Sequence, residues 1–223
     1  MLNFFTKNEP FVNQKIMVDD NGQILEIDSN EFLREYGVTW SDEVVWTNKL
    51  TKSNGELSNW ARAILDNEAK QYQLKVEFDI LLKILMLSET SPILLPQLYI
   101  NSISEIVGYG VFAGQEIHNG DFINEYTGEF GITRDLSKRE SSYLIEENCL
   151  DEQFSWWIDS QRLGNYSRFI NHSSEPNTKL YFTFFKEKYR VFVMAIKNIE
   201  PDEQVLLNYG KDYWSGIQEP IEL

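Results

Sequence analysis

The sequence predicts a mainly β domain over residues 96–223, preceded by an α-rich region over residues 1–95. Three observations predict it. From Leu98 onward short β-type runs alternate with Gly, Asn and Asp; from Asn30 to Leu87 the apolar residues follow helical spacing; and Ser88–Pro96 (SETSPILLP) breaks the one pattern from the other.

The chain opens with residues 15–28 (KIMVDDNGQILEID), which alternate apolar and polar around Asp20-Asn21-Gly22, the turn chemistry of a tight hairpin. Helical spacing follows, with Trp60, Ile64 and Leu65 on one face and a further segment at Val76–Leu87. No chemistry is apparent in this region, so a packed scaffold or cap is its expected role. The β-type runs come next: LYINSISEI, GVFAGQEI, DFINEYTGEF, FSWWID, LYFTFF and YRVFVMAI. Between them Thr133–Ser142 (TRDLSKRESS) is polar and reads as a loop or short helix. There is no internal repeat or low-complexity tract.

Composition excludes several functions. Apolar residues make up 42% of the 223, enough for a sizeable core. Against 35 acids stand 20 Lys and Arg, a formal charge of -15, which repels phosphate backbones and attracts basic partners. Direct nucleic-acid binding is therefore not expected. The acids are spread, 15 in residues 1–95 and 20 beyond, so there is no acidic tail. Cys149 is the only cysteine, which rules out an internal disulfide and any zinc site built from several thiolates. Residues 1–20 lack the long apolar core of an export signal, and the strongest apolar run, Ile80–Leu87, is too short to span a bilayer. The expected protein is soluble and intracellular, cytoplasmic or nuclear, without membrane contact.

Four separated segments carry the chemistry. Gly108-Tyr109-Gly110 sets two glycines between β-like runs, where backbone can approach a ligand closely; without a third glycine and a following helix it is no dinucleotide fingerprint. Glu125-Tyr126-Thr127-Gly128-Glu129 ends a strand in an aromatic flanked by acids. Gly164–Asn177 (GNYSRFINHSSEPN) is dense in amides and hydroxyls yet interrupted by Phe169 and Ile170, and such polarity inside a fold needs partners. A serine nucleophile at Ser173 or Ser174 paired with His172 is a poor alternative, because adjacent residues rarely face each other and no nucleophile elbow is present. Metal binding at His172 is equally poor, since the only other histidine, His118, stands beside a predicted Asn119-Gly120 turn. Finally, Ile199–Gly210 places a turn before a strand ending in Tyr209, and Asp212-Tyr213-Trp214 follows.

In this order and spacing the four segments resemble the SET domain of protein lysine methyltransferases, over about residues 97–214. Gly108-Tyr109-Gly110 is similar to the family's G-x-G, Glu125–Glu129 to its E-Y-x-G-E strand, Arg168–Ser173 to R-F-I-N-H-S and Asn208-Tyr209-Gly210 to the closing N-Y-G. The resemblance implies small twisted sheets with a C-terminal pseudoknot, in which the strand before Tyr209 threads under the segment holding Asn171 and His172. It implies methyl transfer from S-adenosylmethionine, leaving S-adenosylhomocysteine, to the lysine ε-amine of a basic protein or peptide such as a histone or histone-like protein. The alternative is an inactive SET fold that only binds a peptide or partner; a degenerate copy should have lost Tyr209, Asn171 and His172.

Roles carry over residue by residue. The cofactor is expected against Gly108, Tyr109 and Gly110, with Arg168, Phe169, Asn171 and His172 along one wall and Tyr143 and Trp214 as further contacts. Tyr209 and Tyr126 are the expected catalytic residues, and Tyr126, Leu207 and Tyr209 the walls of the lysine channel. Where many relatives carry cysteine clusters this chain has none, so no zinc is expected, and closure falls to Tyr213, Trp214 and the Ile217–Leu223 tail. Leu207 stands where a phenylalanine or tyrosine often limits the number of methyls, which suggests room for two or three. Small zinc-free members occur in bacteria and viruses as well as eukaryotes, leaving both an endogenous and a host substrate open. Residues 1–95 resemble no family appendage; a share in the peptide groove, a homodimer interface and simple stabilisation are the candidate roles.

Overall fold

A computed structural model describes residues 14–53, 55–75, 94–134, 141–149, 153–185 and 188–214. The predicted helical segment Val76–Leu87, the tail Ile217–Leu223 and most of both Ser88–Pro96 and Thr133–Ser142 lie outside the described residues. The first half comprises β1 (Ile16–Asp20), β2 (Gln23–Ile27), α1 (Ser29–Tyr36), β3 (Thr39–Trp40), β4 (Val45–Trp46) and α2 (Asn59–Lys75). There follow β5 (Leu98–Ser104), β6 (Gly108–Ala113), β7 (Phe122–Glu125), β8 (Glu129–Thr133), β9 (Leu144–Asn148) and β10 (Ser155–Asp159). Then come β11 (Leu163–Gly164), a 3-10 turn (Tyr166–Phe169), β12 (Asn171–His172), β13 (Thr178–Phe185), β14 (Lys188–Ala195), β15 (Leu206–Leu207) and a second 3-10 turn (Asp212–Trp214). The fold is mainly β, as predicted.

Local chemistry sets the N-terminal elements. Asn21 and Gly22 both take positive φ, 54° and 88°, the geometry an Asn-Gly hairpin turn requires, and β1 pairs with β2 in register from Ile16–Ile27 to Asp20–Gln23. Asp28 caps α1 by accepting from Asn30 and Glu31 while Glu31 accepts from the Asp28 N–H, a complete capping box. Gly37, at φ 67°, ends the helix. Residues 37–53 and 55–58, inside the stretch read as helical, form short strands, bends and turns instead. Their β-branched and aromatic residues, Val38-Thr39-Trp40 and Val44-Val45-Trp46, pair with strands far along the chain. In α2 the buried stripe is Ala61, Leu65 and Glu68, at i, i+4 and i+7; Trp60, expected on that face, is 46% exposed.

Four sheets result, in the orders β2-β1-β5-β6, β4-β8-β10-β9, β11-β3 and β12-β15-β13-β14-β7. Three of them join strands from before and after residue 95: β1 runs parallel to β5, β3 to β11 and β4 to β8. The hairpin is also tied through a side chain. Tyr166 is fully buried, its hydroxyl accepting from the Met17 N–H and donating to the Lys15 carbonyl, both at 2.6 Å.

In the last sheet β15 lies between β12 and β13, although only residues 173–177 separate those two in sequence. The loop 173–177 must therefore cross the incoming C-terminal chain, which is the expected threading. Two cores flank this crossing. One, built on Phe32, Ile100, Val111, Tyr166 and Val193, includes Phe169 and Leu207; the other, built on Leu65, Phe130, Trp156 and Val191, includes Tyr126. Leu180 packs against both, so the residues singled out in the sequence meet at their seam.

Tyr166→Phe should destabilise the protein by about 1–2 kcal/mol, since it leaves the Met17 N–H and Lys15 carbonyl unpaired in a partly closed setting. Urea denaturation measures the loss. Amide exchange should quicken in β1 ahead of β13 and β14.

Candidate active site

Every residue given a catalytic, cofactor or channel role in the sequence, except Gly110, lines one cavity of about 690 Å³. Gly110 serves it indirectly. A Cβ there would stand 2.5 Å from Ile103 Cδ1, 2.8 Å from Gln204 Nε2 and 3.2 Å from Asn171 Nδ2, so its bare Cα is what lets β6 pack against the side chain of Asn171. Asn171 Nδ2 in turn donates to the Tyr109 carbonyl at 3.0 Å and fixes the glycine segment against β12.

Main-chain and side-chain bonds hold β15 in the crossing. Asn177 accepts from the Leu206 N–H at 2.8 Å and donates to the Gln204 carbonyl at 2.8 Å, while Thr178 Oγ1 donates to the Leu206 carbonyl at 2.7 Å. His172 Nδ1 accepts from the Tyr209 N–H at 3.1 Å, and the Ser173 N–H donates to the Leu207 carbonyl at 3.0 Å. Tyr209, 37 residues after His172, is thus placed by the polar segment that the sequence singled out.

Both candidate catalytic phenols have spent their protons on main-chain carbonyls. Tyr209 donates to the Ile170 carbonyl at 2.6 Å and Tyr126 to the Tyr143 carbonyl at 2.8 Å. Toward the cavity each can therefore offer only oxygen lone pairs. Burial holds both hydroxyls protonated well above the ordinary tyrosine range; the neighbouring Tyr213 adds to the effect at Tyr209. Neither serves as a base near neutrality. No Asp or Glu is among the described residues lining the cavity.

Arg168 is the cation of the site. Its Nε donates to the Ser160 carbonyl at 3.0 Å, and its guanidinium lies 4.1 Å from the ring centre of Tyr143 and 4.7 Å from that of Phe169. Burial lowers its pKa from the ordinary arginine value. Across the cavity Tyr209, Tyr213, Trp214 and His172 form an aromatic cluster, with Tyr209–Tyr213 at 4.7 Å and His172–Trp214 at 5.0 Å between ring centres. The Trp214 indole N–H is buried without an acceptor among the described residues.

A family model for the SET domain matches residues 108–210. The chain carries a SET domain. Among curated proteins it is similar to the histone-lysine N-methyltransferase EZH2 of Chaetomium thermophilum, 35% identical over 129 residues, and to the histone-lysine N-methyltransferase EZ1 of Oryza sativa subsp. japonica, 32% identical over 113. These matches cover 53% and 48% of the chain but only 8% and 12% of the relatives' own length. In fold the SET domain and its N-terminal region are similar to a crystal structure of ATXR5 in complex with histone H3.1, with a TM-score of 0.58 and 20% identity, covering 82% of this chain and 85% of that one.

Sequence reasoning missed Tyr36, which ends α1 and lines the cavity from outside the matched domain. The one available signal was its position just before Gly37. Leu180, on β13, was also missed, being one apolar residue in an alternating strand.

Because Tyr36, Tyr126, Tyr166 and Tyr209 all have pKa values raised above the ordinary 10.0 in the folded state, both states are essentially fully protonated below about pH 8 and these groups add no pH dependence there. Above that pH the unfolded chain sheds protons that the folded chain keeps, and stability should fall as pH rises. An ultraviolet absorbance titration of the folded protein should show a group of tyrosines that ionises only on unfolding.

Proposed function

We propose that the protein is a protein-lysine N-methyltransferase that uses S-adenosylmethionine to methylate a basic protein of the histone or histone-like class. The observation that carries this reading is the placement of Tyr209 and Tyr126, each with its proton donated to a main-chain carbonyl, in one cavity with the SET motifs. The names of the two methyltransferase relatives support the activity.

The residues present fit the cofactor. Arg168, with no carboxylate within ion-pair distance among the described residues, supplies charge for the carboxylate of the amino-acid end. The buried Trp214 N–H and the rings around it suit adenine, and the cavity's volume is of the size that holds such ligands. When bound, S-adenosylmethionine supplies a methyl group on a sulfonium, in line for displacement, and leaves as S-adenosylhomocysteine.

The chain's own residues align and dry the reaction. A lysine ε-amine entering between Tyr126, Leu207 and Tyr209 loses its water, which lowers its pKa, and a cationic sulfonium nearby lowers it further. Deprotonation to solvent therefore replaces a dedicated base, in keeping with a lining free of described carboxylates. The phenol oxygens accept the amine N–H groups and orient its lone pair at the methyl carbon; weak C–H···O contacts to the same oxygens hold that methyl in line. With S-adenosylmethionine bound, the C–N bond would form as the C–S bond breaks, with the electron pair going to sulfur, and Tyr126, Leu207 and Tyr209 would hold the amine in place for it. The methylated ammonium then sheds a proton to solvent. A net charge of -15 favours encounter with basic chains.

Incubation with labelled S-adenosylmethionine and a panel of basic proteins, read by intact mass, tests the assignment. Tyr209→Phe should lower turnover at least about a hundredfold while cofactor binding stays within about threefold, because the lost oxygen acts on the reacting atoms. Binding of the cofactor with transfer to no substrate would favour a binding module instead. Leu207 is nearly buried on the channel wall, so Leu207→Tyr should shift products toward fewer methyls; an unchanged distribution discards that role.

A further inference from the structure

The SET domain match spans residues 108–210, yet the cavity is lined from beyond both of its ends, by Tyr213 and Trp214 on the C-terminal side and by Tyr36 on the N-terminal side. Helix α1 is fixed over the glycine segment by Phe32, which is fully buried and meets Trp40 at 5.0 Å and Phe169 at 6.0 Å, edge to face. One turn further on, Tyr36 projects beyond that anchor. Its ring lies 4.8 Å from Tyr109 and 5.4 Å from Phe169, both in T-shaped contact, so a three-ring wall of Tyr36, Tyr109 and Phe169 encloses one part of the cavity. No ring contact links this wall to the cluster of His172, Tyr209, Tyr213 and Trp214 among the described residues, so the cavity holds two separate aromatic surfaces.

The Tyr36 hydroxyl makes no hydrogen bond to any described residue, although the phenol is half-buried. By contrast Tyr126, Tyr166 and Tyr209 each donate to a main-chain carbonyl. Burial keeps the Tyr36 proton in place at any physiological pH, so the group is a standing donor. A side chain needed only for packing here would satisfy the core equally as phenylalanine. The rings of Tyr109 and Phe169 already close the seam beneath it.

We infer that Tyr36 is a cofactor-contacting residue supplied from outside the SET domain, its ring packing on S-adenosylmethionine beside Tyr109 and its hydroxyl donating to a polar group of that molecule. This rests on the cofactor reading above. It gives the N-terminal region a functional share in the site: the capping box at Asp28 and the left-handed Gly37 set both ends of α1, and those ends decide where Tyr36 stands. The region is then part of the binding pocket rather than a detachable cap.

Isothermal titration of the full chain with S-adenosylmethionine and with S-adenosylhomocysteine provides the test, alongside thermal melting of each variant without ligand. Tyr36→Phe removes only the hydroxyl, which bonds to nothing described in the fold, and should leave the melting temperature unchanged while weakening binding about fivefold, the worth of one hydrogen bond. Tyr36→Ala should weaken it by more than about tenfold through loss of the ring surface as well. If the wild-type chain binds and both variants match it, the inference is overturned and the cofactor reading stands. If the wild-type chain itself takes up neither molecule, the cofactor reading falls, and this inference with it.

Discussion

The site depends on a crossing of the chain. Residues 170–178 hold the main chain of residues 204–209 through Asn177, Thr178, His172 and the backbone of Ser173, and Tyr209 reaches the cavity only because of that grip. Each such bond is worth only about 0.5–1.5 kcal/mol net. Their collective effect is geometric. A buried amide that both accepts from Leu206 and donates to Gln204 favours one register, because a slip of one residue would break both of these main-chain bonds. The pairing of β12 with β15, only two residues long, could not fix that register through backbone bonds alone. This explains why so polar a segment sits between two apolar cores. Its amides and hydroxyls hold the threaded strand, and the apolar Phe169 and Ile170 bury the turn that presents them.

Much of this was legible in the sequence, for reasons that differ between elements. The first hairpin was readable because Asn-Gly demands two positive φ angles, a local constraint that needs no knowledge of the fold. Strands β5, β6, β10, β13 and β14 were readable as β-type runs rich in β-branched and aromatic residues between Gly, Asn and Asp. By contrast β3, β4, β11, β12 and β15 have two residues each, too few to carry a period, and form only because a distant strand offers them an edge. The same reason accounts for Thr39–Trp40 and Val45–Trp46, where apolar spacing compatible with a helix was outcompeted by pairing with β11 and β8. The inward face of α2 misled at Trp60, because Glu68, bonded by the Tyr189 hydroxyl, takes a place on the buried stripe that apolar spacing assigned elsewhere. The threading came from family resemblance. No spacing in the chain states it, since pairing across nearly forty residues is a tertiary fact.

Charge is divided between surface and site. The chain carries a large acidic excess, but the described cavity lining has none of it: its one cation is sandwiched between two rings and its phenols are held neutral by burial. The two arrangements act at different ranges. Surface acids act over about a Debye length, roughly 8 Å at physiological salt, and raise the encounter rate with basic chains. They are too well screened to stabilise an ammonium inside the cavity. A carboxylate at the bottom of the channel would act at contact distance and hold the lysine charged, which is the form that cannot attack. On the proposed function, an acidic exterior with a neutral, aromatic interior would attract lysine-rich partners and still favour the amine once it is within.

The same logic bears on the two phenols. A tyrosine hydroxyl free to rotate would offer its proton to the incoming amine nitrogen and occupy the lone pair that must reach the methyl carbon. The Ile170 and Tyr143 carbonyls prevent this by accepting those protons. The Ile170 carbonyl belongs to the crossing and the Tyr143 carbonyl to the facing wall, so the threading sets the direction of the Tyr209 hydroxyl and the wall that of Tyr126. Burial reinforces the arrangement, because a phenol that cannot ionise keeps its donor bond throughout the working pH range. On this reading the tyrosines act through where their lone pairs point, with the pseudoknot directing Tyr209 and the facing Tyr143 segment directing Tyr126.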